Sequence, residues 1–394
     1  MKPVNLREAR ALSTGVALIV AAVLPGFLMA SLAPRIRLDF SFDASELGLA
    51  VALFYAASAI ASSSAGRLVD RVGAVLGMRL AASLLVVACL GGAVLANSTF
   101  TLAGAATLGG VGNAIAGPGV TAMLNREMSQ NRRGMAFGAM QAGAPLGAML
   151  ADLALPSIAI PLDWRWAYVA AALIAIAAVT LAPAGPSVRA PSAQPGGRKR
   201  LGYVHALALA AVLASAAGVG FISFLVTYAI EEGIAEGPAG FLLGAVSMAA
   251  VISRIAVGAI ADRGTGQGLG LVAAMLGASV AGYLLLIAGS PAAIAIGALV
   301  VGLIGWGWPG ALTHAVVERA PGAPAWAMGV MMSGLFAGAI AGPLLIGLLA
   351  ERDAFAAAWL ACSALAVAAA AIVALTGARS RRSPQVPRSA PADP

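Results

Sequence analysis

Charged residues are scarce in this sequence. Asp, Glu, Lys and Arg make up 10% of the 394 residues, while 60% are hydrophobic. Soluble domains carry about 25% charged residues, which they need to cover their surface. A soluble fold is therefore excluded. The apolar residues come in runs of roughly 20, the length at which a helix crosses the ~30 Å hydrocarbon core of a bilayer.

Residues that perform chemistry are also rare. The sequence has two cysteines and two histidines, and Cys89 and Cys362 both lie inside apolar runs, where we expect them to be packing residues. There is no P-loop, no aspartate-rich diphosphate motif and no histidine spacing typical of metal ligands. The sequence therefore predicts no enzyme, no metal site and no cofactor.

Twelve apolar runs are present, which predicts an all-α integral membrane protein. The spans are expected at roughly 12–34, 46–66, 76–96, 99–123, 134–157, 165–183, 205–229, 238–261, 268–289, 292–315, 326–349 and 355–377. If both termini are cytoplasmic, 20 of the 24 Lys and Arg residues fall on that side, as the positive-inside rule requires. The net charge of +8 is then explained by topology, and we expect no nucleic-acid partner. The prediction is a monomeric multi-pass protein of the plasma membrane, with the lipid bilayer as its surroundings.

The sequence repeats itself at an almost constant offset. Gly66 and Asp70-Arg71 match Gly258 and Asp262-Arg263 at an offset of 192. Pro118-Gly119 matches Pro309-Gly310, and Glu127 matches Glu318, at an offset of 191. This repeat indicates duplication of a six-helix unit, a design typical of transporters with a substrate path between the two halves.

The repeat and the polar stretches predict four segments. We expect an N-terminal six-helix bundle over 1–184, a basic cytoplasmic linker over 185–204, a C-terminal six-helix bundle over 205–378 and a disordered cytoplasmic tail over 379–394. The linker is rich in Pro and Gly and ends in Arg198-Lys199-Arg200, which is a composition typical of flexible connections.

The segment Gly66-Arg-Leu-Val-Asp-Arg-Val-Gly73 resembles the signature of the major facilitator superfamily (MFS). The resemblance extends over nearly the whole chain and includes Asp163-Trp164-Arg165-Trp166. It implies the MFS fold of two pseudo-symmetric six-helix bundles and transport by alternating access. It also implies that Asp70 caps the eleventh span. The basic pair usual after the second glycine of the signature is Ala74-Val75 here.

Charges and glycines at the span ends suggest a cytoplasmic gate. Glycine lets helices approach closely, an aspartate favours the N-terminus of a neighbouring helix, and Arg71 is expected to pair with Glu127. The alternative is that these charges only solvate the span ends. The gate candidates are Gly66, Asp70, Arg71, Glu127, Arg132, Gly258, Asp262, Arg263 and Glu318.

Polar and aromatic residues at mid-span are candidates for a substrate cavity, since ionisable groups in membranes suggest function. Arg254 either holds an anionic substrate or extends to the membrane interface, and the interfacial position is preferred. Asp152 is expected at an interface, and His314 is expected to face a loop. The cavity candidates are Tyr55, Asn113, Gln141, Phe224, Tyr228, Arg254, Trp306 and Trp308. Several of them are equally compatible with packing.

The sequence thus predicts a secondary active transporter of a small solute. Its few cavity charges favour proton-coupled efflux of small organic compounds, with protons as the coupling ion. One alternative is an uptake permease for a small anion, similar to cyanate permeases, with Arg254 as the counter-charge. An alternative of another class is a membrane sensor that does not transport.

Overall fold

The structure is a computed structural model that describes residues 5–40, 44–180, 198–262, 268–320, 322–352 and 354–382. Within these ranges the chain forms helices and no strand. The first half contains α1 (Leu6–Ser31), α2 (Ala33–Asp39), α3 (Ala44–Val72), α4 (Ala74–Val94), α5 (Thr99–Glu127), α6 (Arg133–Ala154) and α7 (Trp164–Thr180). The second half contains α8 (Arg198–Glu231), α9 (Glu236–Ala261), α10 (Gly268–Leu286), α11 (Pro291–Val300), α12 (Trp308–Glu318), α13 (Pro324–Ala350) and α14 (Phe355–Arg382).

The twelve predicted spans are confirmed. Ten helical segments in the described ranges are long and apolar enough to cross a membrane, and the glycine-rich α5 and the 17-residue α7 complete the set. One span consists of α11, a π-helical turn over Val301–Gly305 and α12. The short α2 continues α1 at its end.

Several helices extend beyond the predicted spans. Helix α3 continues to Val72, so Asp70 and Arg71 lie in its last turn. Helix α8 begins at Arg198, inside the expected linker, and α14 continues to Arg382, inside the expected tail. Residues 185–197 of the linker and 383–394 of the tail lie outside the described residues.

Successive spans run in opposite directions, so their ends lie on two faces. We call the face at which α1 begins and α14 ends the terminal face, and the opposite one the distal face. An ion pair between Arg7, at the start of α1, and Glu127, at the end of α5, shows that these ends meet at the terminal face.

The buried core shows where the two halves are joined. One apolar cluster contains residues of both halves, such as Phe137 and Met328, and it occupies the part of the molecule towards the terminal face. Towards the distal face each half has its own cluster, one around Trp164 and the other around Trp359. The halves therefore share a core at the terminal face and have separate cores at the distal face.

The Asp163-Trp164-Arg165-Trp166 segment ties α7 to α2 at the distal face. Trp164 Nε1 donates a hydrogen bond of 3.0 Å to Asp39 Oδ2, and Arg165 forms an ion pair with the same carboxylate. The Arg165 guanidinium lies 4.4 Å from the centre of the Trp164 ring. The hydrogen bonds from Trp164 and Arg165 hold the pKa of Asp39 below its usual range.

The lowered pKa of Asp39 predicts a pH-dependent contribution to stability. A carboxyl whose pKa falls on folding stabilises the protein above its ordinary pKa, and this contribution disappears as the pH drops through the folded-state value. Asp39→Asn should lower the melting temperature by about 1–3 °C at pH 7, as expected for a half-exposed ion pair. The difference from wild type should shrink as the pH falls below about 4, the ordinary pKa of an aspartate, and should vanish once the carboxyl of the wild type is also protonated.

Thermal unfolding in detergent across this pH range measures the effect. Glu231→Gln is the matched control, because Glu231 is an exposed acid at the same face. A melting temperature of Asp39→Asn equal to that of wild type at pH 7 would contradict the stabilising role of this contact.

Candidate functional site: the junction between the halves

Two aspartates cap helices of the opposite half at the terminal face. Asp70, on α3, accepts hydrogen bonds from the backbone N–H groups of Ala325 and Trp326 at 3.1 and 2.8 Å. Asp262, at the end of α9, accepts from Gly134 and Met135 at 2.6 and 2.8 Å. The first cap is the one implied for the eleventh span, and the second is its counterpart in the repeat. We call these two contacts the paired caps.

The helix dipole explains why carboxylates occupy these positions. The first N–H groups of a helix have no partner within the helix, and they carry partial positive charge. Each aspartate supplies two acceptor oxygens and a negative charge to such an end. The caps therefore attach α3 to α13 and α9 to α6 across the junction.

Glycines beside the caps bring the backbones into direct contact. A Cβ atom placed on Gly66 would lie 2.3 Å from the Ala325 carbonyl oxygen, and one placed on Gly258 would lie 2.3 Å from the Gly134 carbonyl oxygen. Any side chain at Gly66 or Gly258 would force the helices apart. The two glycine contacts are related to each other by the same repeat offset as the two caps.

The other gate candidates have different partners from those expected. Glu127 bonds to Arg7 and Arg126, so the expected pairing of Arg71 with Glu127 is wrong. Arg71 is exposed and makes no polar contact with the described residues. Arg132 forms a 3.0 Å ion pair with Glu8 within its own half.

On the second half, Glu318 lies 3.5 Å from His314 Nε2. His314 is buried in α12 and its ring lies against Phe137 of the first half, so the expected loop position is wrong. Arg263 lies outside the described residues. Asp152 is exposed and accepts a 2.6 Å hydrogen bond from Ser31 near the distal face.

Arg254 is buried at the junction and does not extend to the membrane interface, so the preferred position is wrong. Its side chain reaches both halves: Nη1 donates to the Gln141 carbonyl of α6 at 2.5 Å, and Nε donates to the Trp306 carbonyl at 3.1 Å. The guanidinium also lies 5.2 Å from the centre of the Trp306 ring. Arg254 is almost completely buried, with 6% of its surface exposed.

No carboxylate of the described residues forms an ion pair with Arg254. Its second amino nitrogen, Nη2, makes no hydrogen bond to the described residues. The Gln141 side-chain amide likewise makes no hydrogen bond to the described residues.

Three of the cavity candidates thus come together, namely Arg254, Gln141 and Trp306. Tyr55 also lies at the junction, where its ring is 6.3 Å from that of Phe336 on α13.

Three of the remaining cavity candidates contact residues of their own half, and Trp308 belongs to the core that the halves share. Asn113 donates a 3.1 Å hydrogen bond to Ser58 and links α5 to α3. Phe224 packs against α13 beside Gly347, Tyr228 donates a hydrogen bond to the Leu286 carbonyl, and Trp308 is fully buried.

The sequence reasoning missed several partners of these residues. Glu8, which binds Arg132, is marked by a capping box with Asn5, a pattern visible in the sequence. Pro145 marks the Gln141 carbonyl, because a proline has no N–H group to donate to the carbonyl four residues earlier. The Trp306 carbonyl could not have been predicted as a partner of Arg254. It becomes available at the interruption between α11 and α12, which starts in a π-helical turn before Pro309.

Two six-helix halves, joined at one face by paired caps and separate at the other, define a membrane transport protein. The family model described as Major Facilitator Superfamily matches residues 14–325. The chain belongs to this superfamily. It is a secondary transporter, because the members of the superfamily are secondary transporters.

Solved structures share this fold at low sequence identity. The human organic anion transporter MFSD10 (TETRAN) has a TM-score of 0.72 and 16% identity, over 93% of this chain and 99% of its own. A point variant of the E. coli fucose:proton symporter FucP has a TM-score of 0.74 and 15% identity, over 93% and 98%. A structure of FucP in the outward conformation has a TM-score of 0.72 and 15% identity with the same coverage. The comparison with curated proteins finds no match.

The paired caps predict that loss of either carboxylate opens the terminal face. Asp70→Asn and Asp262→Asn should each insert and fold, because the residues stay polar. Each should raise the population that is open at the terminal face about 2- to 30-fold, the range for one charge at a helix end. Transport by Asp70→Asn should fall sharply.

Spin labels on Gln130→Cys and Ala378→Cys measure the opening, since both positions are exposed at the terminal face on opposite halves. Cys89 and Cys362 are buried and should not react. Arg71→Gln is the matched control and should leave the distance distribution unchanged. Wild-type distances and wild-type transport in both aspartate variants would refute the role of the caps.

Proposed function

We propose that this transporter lies in the plasma membrane with both termini in the cytoplasm and works as a monomer by alternating access. The terminal face is then the cytoplasmic face, and the conformation described here is closed to the cytoplasm. The bias of Lys and Arg towards this face supports the orientation. The single apolar core shared by the halves, together with the paired caps, supports the closed state at this face.

The orientation predicts where a reporter at the C-terminus is active. A fluorescent protein that folds only in the cytoplasm should fluoresce when fused after Pro394. An alkaline phosphatase that is active only outside the cytoplasm should be inactive at the same position. The phosphatase should be active when inserted after Ile160, in the connection between α6 and α7 at the distal face. The opposite pattern would overturn the orientation.

We propose further that the substrate is a small organic anion. The observation that carries this proposal is Arg254, a buried cation at the junction without a carboxylate partner among the described residues. A buried charge is unfavourable unless it is paired, and two backbone carbonyls use only part of its hydrogen-bonding capacity. Nη2 keeps two N–H donors for a ligand, and a guanidinium matches the geometry of a carboxylate.

Other acids in the described ranges do not neutralise this site. Glu8 and Glu127 have side chains almost sealed from solvent, but both lie at the terminal face and both bind arginines. An anionic substrate would complete the charge balance at Arg254. Gln141, with its free amide, and the Trp306 ring would provide polar and apolar contacts beside it.

The second candidate function is proton-coupled efflux of small uncharged organic compounds. The apolar surroundings of the junction, including Tyr55, Phe336 and Trp306, favour it. In that case Arg254 would be a structural bridge between the halves. The two candidates differ in the charge of the substrate and in the role of Arg254, and one experiment separates them.

Arg254→Gln should abolish the recognition of anions and spare that of neutral compounds. Thermal stabilisation of the purified protein is measured with small carboxylates, each paired with its neutral amide, beginning with benzoate and benzamide. Carboxylates should raise the melting temperature of wild type, and the shift should be lost in Arg254→Gln. Flux of the stabilising carboxylate into liposomes should fall at least about tenfold, the loss expected for one charged hydrogen bond.

Arg254→Lys is the matched variant, because it keeps the charge and loses the planar fork, and it should retain part of the activity. Flux is compared with and without a pH gradient to test proton coupling. Stabilisation by amides alone, with full transport in Arg254→Gln, would refute the anion proposal and favour the second candidate.

A further inference from the structure

Pro145 leaves one backbone carbonyl of α6 without its helical donor. In an α-helix each N–H group donates to the carbonyl four residues earlier, and proline has no N–H group. Pro145 lies inside α6, so the carbonyl of Gln141 lacks the donor that it would normally have four residues later. Buried carbonyls in this position require another donor.

Arg254 supplies this donor from the opposite half. Its Nη1 atom donates to the Gln141 carbonyl at 2.5 Å. Glycine makes the approach possible, because a Cβ atom at Gly138 would lie 2.2 Å from the Arg254 carbonyl oxygen. The bond between Arg254 and Gln141 can therefore form only while α6 and α9 are in contact.

A second interruption fixes the other side of the guanidinium. Helices α11 and α12 are separated at Trp306 and Gly307, and the Trp306 carbonyl accepts from Arg254 Nε at 3.1 Å. With Nε and Nη1 both bound to carbonyls, the plane of the guanidinium is set. Nη2 is then the part of the group that remains free.

We propose that Pro145 is a positioning residue that assembles the anion site when the terminal face closes. By freeing the Gln141 carbonyl it directs Arg254 across the junction and presents Nη2 to the substrate. Separation of α6 from α9 breaks this bond and admits water, which weakens the electrostatic grip on an anion. A ligand with different affinity for the two states shifts their populations, so the anion favours the closed terminal face.

The role of the anion rests on the proposed function, whereas the link from Pro145 through Gln141 to Arg254 can be tested without any substrate. Pro145→Ala restores the N–H donor to the Gln141 carbonyl and changes no charge. The spin-label pair at Gln130→Cys and Ala378→Cys reports the ratio of open to closed terminal face. Pro145→Ala and Arg254→Gln should each raise this ratio at least about fivefold.

The decisive measurement is a double-mutant cycle. If Pro145 acts through Arg254, the double variant should resemble Arg254→Gln alone, so that Pro145→Ala has no further effect in that background. Pro343→Ala is the matched control, because Pro343 is an interior proline of α13 and its replacement restores the donor to the Ala339 carbonyl. Pro343→Ala should change the ratio of open to closed terminal face by the same factor in the wild-type and Arg254→Gln backgrounds.

Two results would overturn the inference. The first is an equal effect of Pro145→Ala in the wild-type and Arg254→Gln backgrounds, which would show that Pro145 acts only on the shape of α6. The second is an unchanged ratio in Pro145→Ala. A third outcome separates the two proposals. If the cycle shows coupling between Pro145 and Arg254 but carboxylates do not stabilise the protein, Pro145 still positions Arg254 and the anion is refuted as the substrate.

Discussion

Direct contact between helix backbones of opposite halves is the constraint on which the rest of this structure depends. In a bilayer the lipid tails are as apolar as the helix surfaces, so the hydrophobic effect does not drive two helical bundles together. Close packing and polar contacts must do so. At Gly66 and Gly258 the absence of a side chain allows a neighbouring carbonyl to approach. The paired caps then attach the same helices through charge and hydrogen bonds.

This arrangement explains why the closed face can also open. Each cap consists of one carboxylate and two N–H groups at a helix end, and both partners can be hydrated when they separate. The glycine contacts are shallow and contain no interlocking side chains. The caps and the glycine contacts can therefore separate without unlocking side chains at these positions, as a transporter that alternates between two states requires.

The sequence was sufficient to predict the fold, because the fold depends on local patterns, and the resemblance to the superfamily implied the cap by Asp70. Runs of about 20 apolar residues determine the spans, and the Gly-x-x-x-Asp-Arg pattern occurs once in each half. The partners of Arg254 were not predictable in the same way. They are backbone carbonyls, which carry no residue-type signal, and one becomes available only because α11 and α12 are interrupted. The predicted pairing of Arg71 with Glu127 was wrong for a related reason, because the pairing of exposed charges depends on side-chain positions that no sequence pattern specifies.

The repeat itself distinguishes the paired caps from the residues that we propose to bind the substrate. Every residue of the paired caps has a counterpart that makes the same contact: Asp70 corresponds to Asp262, and Ala325 and Trp326 correspond to Gly134 and Met135. Arg254 and Pro145 have no counterpart of the same chemistry. Arg254 corresponds to Ser62, whose hydroxyl donates to Ser58 of its own helix, and Pro145 corresponds to Phe336.

Two halves that must close in the same way gain from keeping the same contacts. A substrate that is not symmetric needs a site that differs between the halves. The departure from the repeat at Arg254 and Pro145, beside paired caps that follow it, therefore supports the proposal that this position binds the substrate.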